Sequence, residues 1–161
     1  MANSKVSDDR KAFDRITKEL ALLQDSYVLV GFQEGSVTHA QNKDQRTKKP
    51  GLSMPEIAAA NEFGTDDIPA RPFMRTSYDD NKTQIDRVIT KEYDKIVDGQ
   101  STVKRSLGLI GLFMVDLIQQ KIRAITTPPN APSTIKKKKS SKPLIDFGQM
   151  ISAVTSKVVL K

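Results

Sequence analysis

Apolar positions at Phe13, Ile16, Leu20 and Leu23 follow one another at steps of 3, 4 and 3, the spacing that lines one face of a helix. With Asp8 or Asp9 as cap, they predict a first helix over about residues 8–24. The next apolar run, Ser26-Tyr27-Val28-Leu29-Val30-Gly31-Phe32, changes character. It is short, β-branched and aromatic, and a Gly-containing loop stops it, so it reads as a strand buried on at least one side. Residues 33–52 form a polar loop longer than a compact domain usually holds, flexible alone or ordered by a partner. Ser53-Met54-Pro55-Glu56 then spells a capping box: Ser at the cap, Pro in the first turn where its missing N–H costs nothing, Glu at the third position. The helix it opens runs through Phe63, and Gly64 supplies the positive φ that ends it.

Pro69 and Pro72 push the residues before them out of the helical region, so an extended crossing follows, and Pro72 also suits the first turn of the next helix. Phe73, Met74 and Tyr78, then Ile85, Val88, Ile89, Tyr93 and Ile96, predict one long helix, with a bend near Asn81, that stops at Gly99. Ser101 or Thr102 caps another. Its broad stripe of Val103, Leu107, Ile110, Met114, Leu117, Ile118 and Ile122 marks it as the most deeply buried helix of the chain. Gly108 and Gly111 lower its helix propensity, which makes sense where another helix or subunit packs closely. Pro128-Pro129 ends it. Residues 126–143, rich in Pro, Ser, Thr and Lys, carry too little apolar surface to order themselves and read as a second flexible loop. Asp146 to Met150 reads as a turn or a single helical turn. Ala153 to Leu160 reads as a terminal strand, the best available partner for the strand at 27–32.

A chain of 161 residues is the size of one domain, and residues 1–161 are expected to share a single core that buries about two-thirds of the unfolded surface. The material for it is modest: 37% hydrophobic, 6% aromatic and no Trp, compatible with some apolar surface finding its partner on another subunit. The absence of Cys removes disulfides and thiolate metal sites, and one His leaves little for an imidazole cluster. Met1 to Arg10 is polar and has no signal-peptide pattern. The longest apolar stretch, Leu107 to Val115, is far short of the ~20 residues that cross a bilayer. A soluble, cytoplasmically made protein without a membrane partner is expected. The net charge of +7 is local: Lys136, Lys137, Lys138, Lys139 and Lys142 supply five units, and residues 33–50 supply the other two by setting Lys43, Arg46, Lys48 and Lys49 against Glu34 and Asp44. The remaining body is formally neutral.

Candidate chemistry is sparse. Asp146-Phe147-Gly148 matches a kinase magnesium tripeptide, but the chain lacks the Gly-rich loop, the catalytic loop and the length of a kinase. A cap at Asp146 and a relieved turn at Gly148 is the simpler reading. The pairs Asp66-Asp67 and Asp79-Asp80 read as a solvated turn and a helix surface, because neighbours in sequence rarely converge on one ion. His39 has no nucleophile or acid at a triad-like spacing, and no phosphate-binding glycine loop is present. The expectation is a protein that is not an enzyme and needs no cofactor. Lys136 to Lys139 fit two readings: a solvated loop, or a sequence-independent contact to phosphates of double-stranded DNA. No aromatic residue interleaves them, so base stacking is not expected. Arg71 and Arg75 stand where a helix starts, against its dipole. Either they have a specific partner such as Glu62 or an acid on a neighbouring subunit, or they are an exposed pair without consequence.

Three ordered motifs carry a resemblance: Asn61-Glu62-Phe63-Gly64, then Ile68-Pro69-Ala70-Arg71-Pro72-Phe73 with Arg75, then Leu144-Ile145-Asp146-Phe147-Gly148-Gln149-Met150 before the terminal strand. With Val30-Gly31-Phe32 as an early strand, the match spans residues 27 to 160. The pattern resembles the tail-component or tail-completion proteins of the neck of long-tailed bacteriophages. Phe147 departs from the Thr usual in that family, which puts in doubt any bond made there by a Thr hydroxyl. The resemblance implies an α+β fold with a small antiparallel sheet packed against several helices, two of them long. It implies a homo-oligomeric ring, six-fold, that joins the DNA-filled head to the tail and lines the DNA channel. Its partners are then itself, the head-completion or connector protein, the tail tube or tail terminator protein, and packaged DNA through non-specific contacts. The protein is placed in the virion neck, assembled in the bacterial host cytoplasm. The tail terminator that caps the tube is the alternative within that class. Outside it stands a small cytoplasmic nucleic-acid-binding protein, against which the neutral body weighs.

Overall fold

The computed structural model describes residues 10–33, 52–138, 141–145 and 148–161. Helix α1 (Arg10–Asp25) leads into strand β1 (Tyr27–Gly31), and helix α2 (Met54–Phe63) follows. Then come α3 (Phe73–Asp79), α4 (Lys82–Val97), α5 (Val103–Ala124), α6 (Pro132–Lys138) and α7 (Gln149–Ser152), before strand β2 (Thr155–Val159) closes the chain. The class is α+β. The two strands pair antiparallel, Tyr27 opposite Val159 and Gly31 opposite Thr155, so the terminal segment is the partner the sequence offered and the orientation is the one the resemblance implied.

Helix α5 organises the rest, because its stripe meets two apolar clusters at once. Toward its C-terminal half, Ile118 and Ile122 join Met54, Ala58, Phe73, Leu144, Met150 and Val154. Toward its start, Val103 and Leu107 join Ile96, with Leu22, Leu23, Val28 and Val158 packed against them. Of the two caps the sequence offered, Ser101 and Thr102, it is the Thr102 hydroxyl that accepts from the Arg105 N–H. A second cap comes from α1, where the Glu19 carboxylate accepts the Val103 N–H at 2.7 Å.

The glycines of α5 have opposite roles. A Cβ at Gly111 would lie 2.8 Å from Val28 Cγ2 and 2.9 Å from Ser156 Cβ. The close neighbour there is the sheet, where the sequence pointed to a helix or a subunit. A Cβ at Gly108 would meet nothing within 4 Å. Gly111→Ala is therefore expected to destabilise by about 1–2 kcal/mol, overpacking outweighing the gain in helix propensity. Gly108→Ala should instead stabilise by about 0.5–1 kcal/mol. Urea melts of the two variants check the opposite signs.

Two expectations need correction. The single long helix is two, because Asp80 and Asn81 break it: Asn81 takes φ −121° and ψ 13°, and its Nδ2 donates to Ser77 O at 2.8 Å. Asp and Asn are poor helix formers with side chains that compete for backbone bonds. The break also serves both clusters, letting α3 bring Phe73 to one while α4 brings Ile96 to the other. Ion pairs flank it, Asp79 to Lys82 at 3.2 Å and Asp80 to Lys121 at 2.5 Å. Pro72 sits at the cap of α3, one position before the expected first turn. The other correction concerns residues 126–143, read as a structureless loop. They contain α6, and Pro143 is buried beside Leu144. The loop expected at 33–52 lies outside the described residues except for Gln33 and Leu52.

Candidate functional site

The residues singled out by sequence converge on the passage from α2 to α3. The capping box forms as written: Ser53 Oγ accepts from Glu56 N–H, and the Glu56 carboxylate accepts the Ser53 N–H at 2.6 Å. The Ser53 bonds hold the exposed Glu56 carboxyl below its ordinary range. At the far end Gly64 takes φ 80°, and a Cβ there would crowd Ala70 N at 3.0 Å and Ile68 O at 3.1 Å. The chain reverses tightly and returns past its own helix, so that Arg71 N–H donates to Asn61 O at 2.6 Å.

Glu62 and Arg71 are both buried, yet they do not pair with each other. The Glu62 carboxylate accepts the N–H groups of Met74 at 2.8 Å and Arg75 at 3.0 Å, so it caps α3 from the neighbouring helix. A short helix opened by Pro72 has no side-chain cap of its own, and a carboxylate at its N-terminus satisfies two orphan donors and the dipole together. The Arg71 guanidinium turns the other way, toward the segment after α5. Its Nε donates to Pro128 O at 2.8 Å, Nη2 to Pro129 O and Asn130 Oδ1 at 3.2 Å each, and Nη1 to Asn61 Oδ1 at 3.4 Å. Among the described residues no carboxylate neutralises it. Burial pushes its pKa down from the ordinary value, while oxygen dipoles solvate a charge that guanidinium does not give up.

Asn130 carries the clasp onward, donating to Pro143 O at 3.4 Å, so the segment carrying α6 is tied at its root. Lys136 is exposed on α6; Lys137 and Lys138 belong to the same helix, and Lys139 lies outside the described residues. Of the other motif residues, Phe73 is fully buried and meets Phe32 edge to face at 6.0 Å. Phe63, Pro69 and Arg75 are exposed. Gly148 takes the left-handed φ of 71° before α7, and Asp146 lies outside the described residues, as does His39.

Sequence reasoning missed a buried polar knot between α4 and α5. Ser106 Oγ lies 3.1 Å from Glu92 Oε2 and 2.9 Å from Ser101 Oγ, and Lys95 bonds the other Glu92 oxygen. The signal was available, since Ser106 is a polar residue inside the apolar stripe of α5. Burial acts to raise the Glu92 pKa, but the Lys95 and Ser106 bonds and the Lys95 and Lys91 charges outweigh it and hold it below 4.5. A depressed carboxylate contributes stability that is present above its unfolded value and is lost as pH falls through the folded one. Glu92→Gln should therefore lower the urea midpoint at pH 7, and the gap to the native chain should shrink on acidification to about pH 3.

Among the described residues no group of His, Asp and Glu could hold a metal ion. No helix there is long and apolar enough to cross a membrane. The surface offers apolar grooves instead, one between α5 and β2 and another where β1 meets α2 and α3. No family model matches the chain, and no curated protein or solved structure does.

Proposed function

We propose that this chain is a structural subunit of the neck of a long-tailed bacteriophage, forming a ring that joins the DNA-filled head to the tail. The observation that carries the reading is the use made of its motif residues. Asn61, Glu62, Arg71 and Phe73, drawn from two of the three motifs, build one clasp that fixes α3 and the root of α6. What that scaffold presents is apolar surface: Phe63, Phe13, Leu112 and Leu52 are between 61% and 80% exposed. Large apolar side chains left in water favour a protein completed by partners over one that works alone. In the neck, the Lys136 to Lys139 run would meet DNA phosphates in the channel without reading sequence.

Deleting the reading frame from its parent phage and viewing the lysate by negative-stain electron microscopy tests the proposal. DNA-filled heads beside separate tails of normal length are expected. Tails of irregular length assign the terminator role instead. Intact infectious particles overturn the reading and favour a small nucleic-acid-binding protein, for which duplex affinity that persists at physiological salt is the mark.

A further inference from the structure

Two surface features on different elements complement each other in polarity and charge. The first is a knob at the end of α2. Phe63 is 80% exposed, and the exposed Asp66 and Asp67 follow in the turn. The knob has a fixed shape, because Thr65 Oγ1 accepts the N–H groups of Asp67 at 3.3 Å and Ile68 at 3.1 Å, and Thr65 N–H donates to Ile68 O at 2.8 Å. Among the described residues neither acid has an ion-pair partner.

The second is the groove of about 530 Å³ between α5 and β2. Gly108, Leu109, Leu112 and Val158 line it, with Lys104 and Arg105 at the α5 N-terminal end. Leu109 is 41% exposed and Leu112 62%, and the missing side chain at Gly108 leaves the groove open. Lys104 and Arg105 occupy the first turn of α5, where cations oppose the dipole, and among the described residues neither has an ion-pair partner.

We propose that Phe63 of one copy seats in the α5–β2 groove of the next, with its Asp66 and Asp67 meeting Lys104 and Arg105. An aromatic anchor in an apolar groove supplies the affinity, and the charges set orientation and on-rate. Knob and groove share no residue, so the contact is heterologous: it repeats head to tail and closes into a ring when the rotation permits. The pairing deepens the neck reading by naming the contact that joins its copies.

Sedimentation velocity on the full chain over a concentration series tests the pairing. Three variants are needed: Phe63→Ser, the double charge reversal Asp66→Lys with Asp67→Lys, and the double reversal Lys104→Glu with Arg105→Glu. All five positions are exposed, and circular dichroism should show the native fold in each variant. The native chain is expected to self-associate, and Phe63→Ser to weaken that association about thirtyfold, the loss that goes with an interface hot spot. Each charge-reversed variant alone should also weaken it. Mixed one to one, those two should recover assembly, since the reversed knob then faces the reversed groove while the native knob faces the native groove. A native chain that remains monomeric, variants that assemble like it, or a mixture that recovers nothing overturns the pairing. If the native chain assembles but ignores these substitutions, the pairing falls while the neck reading still rests on the particle phenotype.

Discussion

Phe73→Ala should remove about 3–5 kcal/mol of folding stability, the range for truncating a fully buried aromatic side chain. At this chain length that corresponds to a fall of about 10 °C or more in melting temperature, which calorimetry reads directly. The effect is large because Phe73 has no exposed surface and touches two structural decisions at once. It is the first residue of α3, whose opening N–H groups Glu62 satisfies, and its ring meets Phe32 just past β1. A cavity there separates the sheet end from the α2–α3 corner, and a site walled by both cannot collapse cheaply. Phe73→Leu, which keeps most of the volume, should cost less than about 2 kcal/mol. Equal losses for Ala and Leu would mean that the ring is not packed as described.

Arg71→Met is the second large effect, expected at about 3 kcal/mol. Met keeps the stem and much of the volume, so the loss reports the polar head. Without it Pro128 O, Pro129 O, Asn130 Oδ1 and Asn61 Oδ1 lose their donor together. Fully buried acceptors stripped of a charged donor cost on the order of 1–3 kcal/mol each, and less here because Pro128 and Pro129 are exposed and Asn61 and Asn130 half-buried, so water can replace the guanidinium. That exposure gives the prediction a local signature. Amide exchange should speed up across residues 130–138 far more than in the C-terminal half of α5. Arg71→Lys should recover only part of the loss, since a single ammonium cannot span acceptors that the planar fork reaches. Uniformly faster exchange would show that Arg71 holds the whole core rather than the root of α6.

Both predictions concern residues that the sequence marked for a different reason. Arg71 stood out because a cation at a helix start needs a partner, and Glu62 or an acid on a neighbouring subunit were the candidates. The structure gives each a different partner: Glu62 takes backbone N–H groups, and Arg71 takes carbonyls 57 and 58 residues further on. No side-chain pattern announces a backbone carbonyl, because every residue has one. Ser106 shows the reverse case, a polar residue within an apolar stripe whose partner Glu92 lay in plain view on the preceding helix.

The sequence by itself determined what depends on a few neighbouring residues. Ser53 to Glu56 capped α2, Gly64 and Gly99 stopped their helices with positive φ, and Thr102 capped α5. These follow from sterics and hydrogen bonds that close within about four residues. Only the tertiary structure decided the break at Asp80 and Asn81, the close approach of the sheet to Gly111, and the anchoring of residues 128–130 at the root of α6. Each depends on what a distant segment brings to the same place. Two clusters on one α5 stripe require the helix before it to bend in two, and a buried Arg71 turns a Pro-rich stretch of little apolar content into an anchored one.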